Sequence, residues 1–261
     1  MEGFENAGQP LKAQWKELIV RKLGDAGQHH LILKAAQRAA ATGLRLDNPQ
    51  MVRTVFRVLH WKALESKWDE EETRKALALA EQFVELMEGD EHLGKKNVVP
   101  GDLRASPFTI AMPLELAAVR AKRHTDGQDK DGKVAKYASR FMKATNQDDF
   151  LTVTLPAELQ YITSPVELKP KVFETAQSII VHKGRTQGII PLWIAVKTAR
   201  QVLGADMPMA SEAQQLEQDL TTAVQTGERM LKEAIETNMK GRLSSDMIGR
   251  LPADIQLAKE A

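Results

Sequence analysis

Three aspartates precede a glycine in one polar segment, and their carboxylates are the residues best suited to bind a cation: Asp126, Asp129 and Asp131, before Gly132. Carboxylates at alternate positions ahead of a sharp glycine turn bind hard ions such as Ca²⁺. Placing Gly132 at the sixth position of a calcium loop, however, puts Gly127 at the first and Ala138 at the twelfth, where Asp and Glu are required. The segment is therefore predicted to be a solvated turn, and no metal is expected.

Histidines and nucleophiles offer little further chemistry. His29 and His30 are adjacent, but neighbouring residues on a helix point about 100° apart, so the two share one metal poorly. His60, His92, His124 and His182 are isolated. The chain has no cysteine, no His-Glu-x-x-His, no glycine-rich phosphate loop and no Gly-x-Ser-x-Gly. We predict that it is not an enzyme and that it holds no cofactor.

Basic residues gather in clusters near predicted helix ends: Lys95-Lys96, Arg120 to His124, Lys183 to Arg185 and Lys240 to Arg242. One interpretation is that cations near the carboxyl end of a helix are favoured by its dipole. The other is that equivalent turns of a helical stack line one edge and form a rim for a partner or for phosphates. That rim would consist of five cations: Arg120, Lys122, Arg123, Lys183 and Arg185.

Composition limits both interpretations. The chain has 36 Lys plus Arg against 35 Asp plus Glu, so no bulk positive field draws it onto nucleic acid. With 43% hydrophobic and 27% charged residues it should fold, and with only 5% aromatic residues it should be helical. No apolar run reaches the 18 or so residues that span a bilayer. The absence of cysteine favours an intracellular protein, of the cytoplasm or mitochondrion. The start has neither a secretory nor a transit pattern, so for an organellar protein we expect the presequence to be missing from this sequence.

Breakers and caps divide the chain into predicted helices. We predict a helical hairpin in residues 1–47, with helices at about 10–23 and 28–42, a repetitive helical body in 48–240, and a tail or short helix in 241–261. In the body, helix starts are indicated by Asn48-Pro49, by Asp69 and by Ser106-Pro107. Further helices are predicted at 133–145, 166–183, 189–203 and 211–239, with Gly24 as a stop and with Gly184 and Gly188 flanking a turn. Residues 150–155 suit a short strand as well as a helix, and we interpret them as helix.

Three of the predicted helices share a ten-residue pattern. It consists of Lys, an apolar residue, three variable residues, Ala, two variable residues and two large apolar residues, and its alanines are Ala80, Ala138 and Ala176. A small residue at this point lets a facing helix approach closely, so all three alanines are predicted to be buried in equivalent second helices of hairpins. The segments starting at Pro113 and Pro191 resemble each other, and each is predicted to lie near the start of a corresponding first helix.

On this pattern the chain resembles the helical-hairpin repeat superfamily, nearest to its tetratricopeptide and pentatricopeptide types, with HEAT-like units as a competitor. The resemblance covers roughly residues 48–225, in units nearer 40 residues long than the 33 to 35 of those two types. It implies an all-α fold of stacked antiparallel hairpins in a short right-handed α-solenoid. An irregular helical domain is the alternative.

Two functional hypotheses follow. The first is a non-catalytic protein-binding scaffold or structural subunit of a larger assembly, which uses the surfaces of the helical repeat. The second is an RNA-associated helical-repeat protein of an organellar, mitochondrial ribonucleoprotein, which requires one continuous basic face. A small-molecule enzyme is a distant third. The expected partner is a protein or larger complex, with RNA possible and no small-molecule substrate.

Overall fold

The computed structural model describes residues 1–95, 97–99, 101–145, 154–238 and 245–261. In these ranges the chain forms α-helices and short 3-10 turns and no strand, so the all-α prediction is confirmed. The helices are α1 Glu2–Asn6, α2 Ala13–Asp25, α3 His29–Gln37, α4 Ala39–Thr42, α5 Pro49–Glu65, α6 Glu70–Leu86, α7 Pro107–His124, α8 Lys133–Thr145, α9 Leu155–Thr163, α10 Val172–Leu203, α11 Ala210–Asn238 and α12 Leu251–Glu260. No helix in the described ranges has both the length and the apolar character needed to cross a membrane.

Local caps start several helices where the sequence predicts. The Asn48 side chain accepts a hydrogen bond from the Met51 amide at 2.8 Å, and Asp69 Oδ1 accepts from the amides of Glu71 and Glu72. The polar turn before α8 works in the same way, because the Asp129 carboxylate accepts from two amides of the first turn of α8. Such caps satisfy amides that have no partner inside the helix. The aspartate cluster thus serves helix capping.

Two central helices organise the core. Thirteen of the eighteen residues of α7 are buried, and α7 packs against α5, α6, α8 and α10. The longest helix, α10, packs against α7, α8, α9, α11 and α12. A helix that is apolar on nearly every side must be surrounded by others. The end of the chain also returns to the middle, because α12 contacts α5 as well as α10 and α11.

The predicted break inside α10 is wrong. Instead of helices at 166–183 and 189–203, one 32-residue helix runs through Gly184, Gly188 and Pro191. Each glycine costs about 1 kcal/mol in a helix and proline about 3. The second half of α10 is nevertheless almost wholly buried, and fully burying one large aliphatic side chain contributes about 1.5–3 kcal/mol. Packing therefore outweighs the local preference for a turn, and Pro191 lies well inside α10 and not near the start of a helix.

In the amino-terminal region, several helix boundaries differ from the predicted ones. Gly24 does not end α2 but lies inside it, where a Cβ atom would come within 2.8 Å of Val58 on α5. The predicted helix over 28–42 is divided at Arg38, whose φ and ψ are −113° and 43°, and α1 was not predicted. Gly43 does end α4, in the left-handed conformation at φ 66°.

The aligned alanines have different environments. Ala80 in α6 and Ala138 in α8 are fully buried, as predicted. Ala176 is partly exposed, and its pattern neighbour Ile180 is 53% exposed. It also lies near the start of the continuous helix α10, so this third member of the alignment is wrong. The regular right-handed solenoid stays a prediction, supported by the hairpins α5–α6 and α7–α8.

Some predictions concern residues outside the described ranges. These are the basic residue Lys96, most of the ambiguous stretch 150–155, the basic cluster at 240–242, and the boundary between the predicted body and tail at 240 and 241.

Candidate functional site: an arginine-lined cleft

The five predicted rim cations lie in four different places. Arg120 pairs with Asp131 at 3.3 Å, beside the turn that leads to α8. Lys183 Nζ donates to the Met247 carbonyl at 2.9 Å. Lys122, Arg123 and Arg185 have the two roles described next.

Lys122 and Arg123 hold the carboxyl end of α12. The Lys122 ammonium donates to the Ala261 oxygen, and Arg123 Nη1 donates to the Glu260 carbonyl at 3.4 Å. Lys197 on α10 joins them and donates to the Lys259 carbonyl at 2.8 Å. The last carbonyls of a helix have no partner within it, and cations are favoured there by the helix dipole. The dipole interpretation thus applies to these cations, but the helix they stabilise is α12 and not the helix that carries them.

A tryptophan completes this contact. The indole Nε1 of Trp68 donates to the Leu257 carbonyl at 3.3 Å, and the ring is buried. Both Lys67 and Trp68 have positive φ values, 56° and 63°. Non-glycine residues seldom adopt this conformation, so the α5–α6 turn is strained and the buried indole helps to keep it.

Arg185 lines a candidate site, a cleft of about 370 Å³ between α5, α7, α9 and α10. Two arginines that the sequence analysis did not single out, Arg53 and Arg57 of α5, line the same cleft. So does the carboxylate of Glu158, which is 3.3 Å from Arg185. Phe108, Met112 and Leu192 are among its apolar lining residues. The cleft therefore combines three cations, one carboxylate and an apolar surface.

Each arginine of the cleft lies over an aromatic ring. The guanidinium carbon of Arg53 is 4.3 Å from the centre of Phe108, and that of Arg185 is 3.9 Å from the centre of Tyr161. Arg57 lies 5.2 Å from the centre of Trp61. Cation–π contacts of this kind orient a guanidinium without neutralising it. The buried Nε of Arg57 has no hydrogen-bond partner among the described residues.

Burial controls the electrostatics of the cleft. It lowers the pKa of Arg53 and of Arg57, and for Arg57 the nearby Arg21 acts in the same direction. Arginine remains protonated in proteins all the same. Burial also raises the pKa of Glu158, against the opposing effect of Arg185 and then of Arg53. Glu17 opposes Arg21 at Arg57 and accepts a hydrogen bond from Gln50 at the edge of the cleft. The three arginines that line the cleft still outnumber its one lining carboxylate, so the cleft favours a negatively charged group.

The glycines of α10 keep this cleft open. Gly184 and Gly188 are four residues apart and both line it. A Cβ atom at either position would meet no heavy atom within 4 Å. One sequence signal could have pointed to the cleft, namely Arg53 and Arg57 at i and i+4 on an otherwise apolar helix. The link to Glu158 and Arg185 has no such local signal.

The buried pair of His60 and Glu115 has the residue types of an acid–base site but not its access. His60 Nδ1 lies 2.8 Å from Glu115 Oε1, and the two side chains are 2% and 0% exposed. Burial raises the pKa of Glu115, and the neighbouring His60 opposes this. No substrate reaches a pair sealed between α5 and α7, so its contribution is to the core.

Comparison with known proteins gives a family match and a similar protein. Over residues 1–249 the chain matches the family described as mitochondrial ribosomal protein mS27. It is also similar to the small ribosomal subunit protein mS27 of Neurospora crassa, with 31% identity over 135 residues. That match covers 49% of this chain and 34% of the relative, so the chain spans about a third of the length of the curated relative.

Proposed function

Because the chain belongs to the mitochondrial ribosomal protein mS27 family, we propose that it is a non-catalytic structural subunit of the small ribosomal subunit of mitochondria. The family match over residues 1–249 is the observation that carries this proposal. It agrees with the prediction of a structural part of a larger assembly. The family also confirms the mitochondrion, one of the two compartments expected from the sequence.

The chemistry of the described side chains supports a structural role. The cleft presents guanidinium groups, which bind anions but do not act as general bases or nucleophiles at neutral pH. Its one carboxylate, Glu158, is paired with Arg185. The histidine–glutamate pair is sealed in the core. These groups hold and orient the helices that surround them.

Protein contact through the helical surfaces is the mode of action that we favour. Arg120, Lys122, Arg123 and Lys183 donate to acceptors of the same chain, which leaves them less available as a phosphate rim. The hairpins α5–α6 and α7–α8 offer the surfaces that the resemblance to helical repeats implies. RNA contact is the second candidate, because a ribosomal subunit contains RNA as well as protein.

Sedimentation of mitochondrial extracts tests the proposal. A tagged chain should migrate with the small ribosomal subunit in a sucrose gradient, and should stay with it when low magnesium separates the two ribosomal subunits. Depletion should lower the amount of small subunit relative to large. Migration as a free protein, with an unchanged amount of small subunit, would contradict the proposal. Partner proteins that remain bound after ribonuclease treatment would favour protein contact over RNA contact.

A further inference from the structure

The first half of α10 carries large apolar side chains that no part of the described chain covers fully. Phe173 is 70% exposed, Ile180 53% and Val181 48%. Ile180 is one of the large apolar residues in the third copy of the alanine pattern. Phe173 and Val181 directly follow two residues of that copy. Contiguous exposed apolar surface of this kind marks interaction sites in soluble proteins.

This face continues into the arginine-lined cleft. Residues 173, 177, 180, 184 and 188 follow each other at intervals of three or four, and residue 181 lies three before 184, so all six share one side of the helix. Val181, Gly184 and Gly188 belong at the same time to the lining of the cleft. The stripe from Phe173 to Gly188 extends about 22 Å along the helix axis. It forms, with the cleft at its end, one groove that we call the α10 groove.

The positive charge of the α10 groove indicates what kind of group binds in it. Arg53, Arg57 and Arg185 line the cleft with a single carboxylate, Glu158, while Glu17 acts on Arg57 from its edge. The Nε of Arg57 is buried with no partner among the described residues. An incoming carboxylate would restore the charge balance and accept from these donors in the fork geometry that arginine offers. The occupant must therefore carry an acid that enters the cleft.

The shape and polarity of the groove distinguish protein from RNA. An RNA backbone would bring phosphates to Phe173 and Ile180, whose apolar surface it cannot cover favourably. A second helix, in contrast, places apolar side chains every three or four residues and packs its ridges into such a stripe. The stripe is as long as about four turns of a partner helix.

We propose that the α10 groove docks an amphipathic helix of another protein of the small ribosomal subunit, with aliphatic side chains on Phe173 and Ile180 and with an Asp or Glu in the cleft formed by Arg53, Arg57 and Arg185. This inference rests on the proposed function, because it takes the neighbouring protein from the same assembly. It adds the surface and the chemistry of the contact.

Photocrosslinking within the assembled subunit tests the docking. A photoreactive phenylalanine analogue is introduced at position 173, and small subunits that contain the chain are purified before irradiation. Mass spectrometry should identify a crosslink to a segment of another protein that has a helical apolar pattern and an acidic residue within about four turns. A crosslink to RNA, to the chain itself or to a segment without acidic residues would overturn the inference, and so would no crosslink. Failure of the chain to purify with small subunits would instead overturn the proposed function.

Two variants of the α10 groove and a control provide a second test, and the first variant lies outside the cleft lining. Ile180→Glu changes a side chain that is already half exposed, so the chain should fold while the groove loses an apolar anchor and repels the acid. The crosslink yield from position 173 should fall at least about fivefold, as expected for the loss of a central interface residue. Arg53→Gln should lower it in the same direction. The control Arg140→Gln, on the exposed side of α8, should leave the yield unchanged. Equal yields from Ile180→Glu and the control would overturn the inference.

Discussion

Replacing Gly227 with alanine should destabilise the protein, whereas the same replacement at Gly184 should stabilise it. Both glycines lie inside long helices, α11 and α10. In each case the added methyl group improves the intrinsic helix preference by about 1 kcal/mol. The two positions differ only in what the methyl group meets.

At Gly227 the methyl group meets a packed interface. Its Cβ would lie 2.7 Å from Ile162 Cγ2 and 2.7 Å from Thr186 Oγ1. Both neighbours are fully buried, and the Thr186 hydroxyl is held by its hydrogen bond to the His182 carbonyl, so neither can move aside cheaply. Overpacking of this kind costs about 1–3 kcal/mol. After the gain in helix preference, the net loss should reach up to about 2 kcal/mol.

At Gly184 the methyl group meets open space, because no heavy atom lies within 4 Å of the added Cβ. The full gain of about 1 kcal/mol should therefore appear. Urea unfolding followed by circular dichroism measures both variants, with equal slopes required before the midpoints are compared. The two free energies of unfolding should differ by about 1–3 kcal/mol. A shift of the same sign and size for both variants would refute the assignment of Gly227 to a close helix contact.

Three further predictions concern the turn, the α12 contact and the cleft. Lys67→Gly should raise the free energy of unfolding by about 0.5–1 kcal/mol in urea titrations, because Lys67 is exposed and glycine adopts its φ of 56° without strain. As a control, Lys136→Gly inside α8 should lower the free energy of unfolding by about 1 kcal/mol. Lys197→Met should cost about 1 kcal/mol and speed proteolytic release of α12, since the Lys259 carbonyl loses its donor; unchanged release would contradict this. Burial raises the pKa of Glu158 in the folded protein, so the folded state holds this proton more tightly than the unfolded state does. The resulting stabilisation is complete below pH 4.5 and is lost as the pH rises through the raised pKa. Glu158→Gln should remove that decline from a pH series of urea midpoints, and identical pH profiles would count against it.

Interactions within about four residues are the part of this protein that its sequence predicts. Asn48 and Asp69 cap helices because their carbonyl and carboxylate oxygens reach amides two or three positions further on. Gly43 ends a helix because its left-handed conformation suits glycine. The aspartate turn fails as a calcium loop on spacing alone, and Asp129 proves to be a cap. All-helical class follows from the same local preferences.

Glycine shows where local preference stops being informative. Gly24, Gly184 and Gly188 each look like the end of a helix, yet all three lie inside one. In α10, a glycine's preference of about 1 kcal/mol is outweighed by the burial of several large side chains on the same helix. The sequence shows where each glycine lies. The helices packed around it decide whether it ends its own helix, lets a neighbouring helix approach closely, or leaves space for a cleft.

The sequence alone therefore determined the helical class, most helix starts and the lack of a recognisable catalytic motif, because these depend on nearest neighbours along the chain. Tertiary structure decided which helix each basic cluster serves and brought Arg53, Glu158 and Arg185 to one cleft. Lys122 reaches an oxygen 139 positions away, and Trp68 a carbonyl 189 positions away. Such pairings depend on how buried surfaces fit in three dimensions, and no local pattern records that fit.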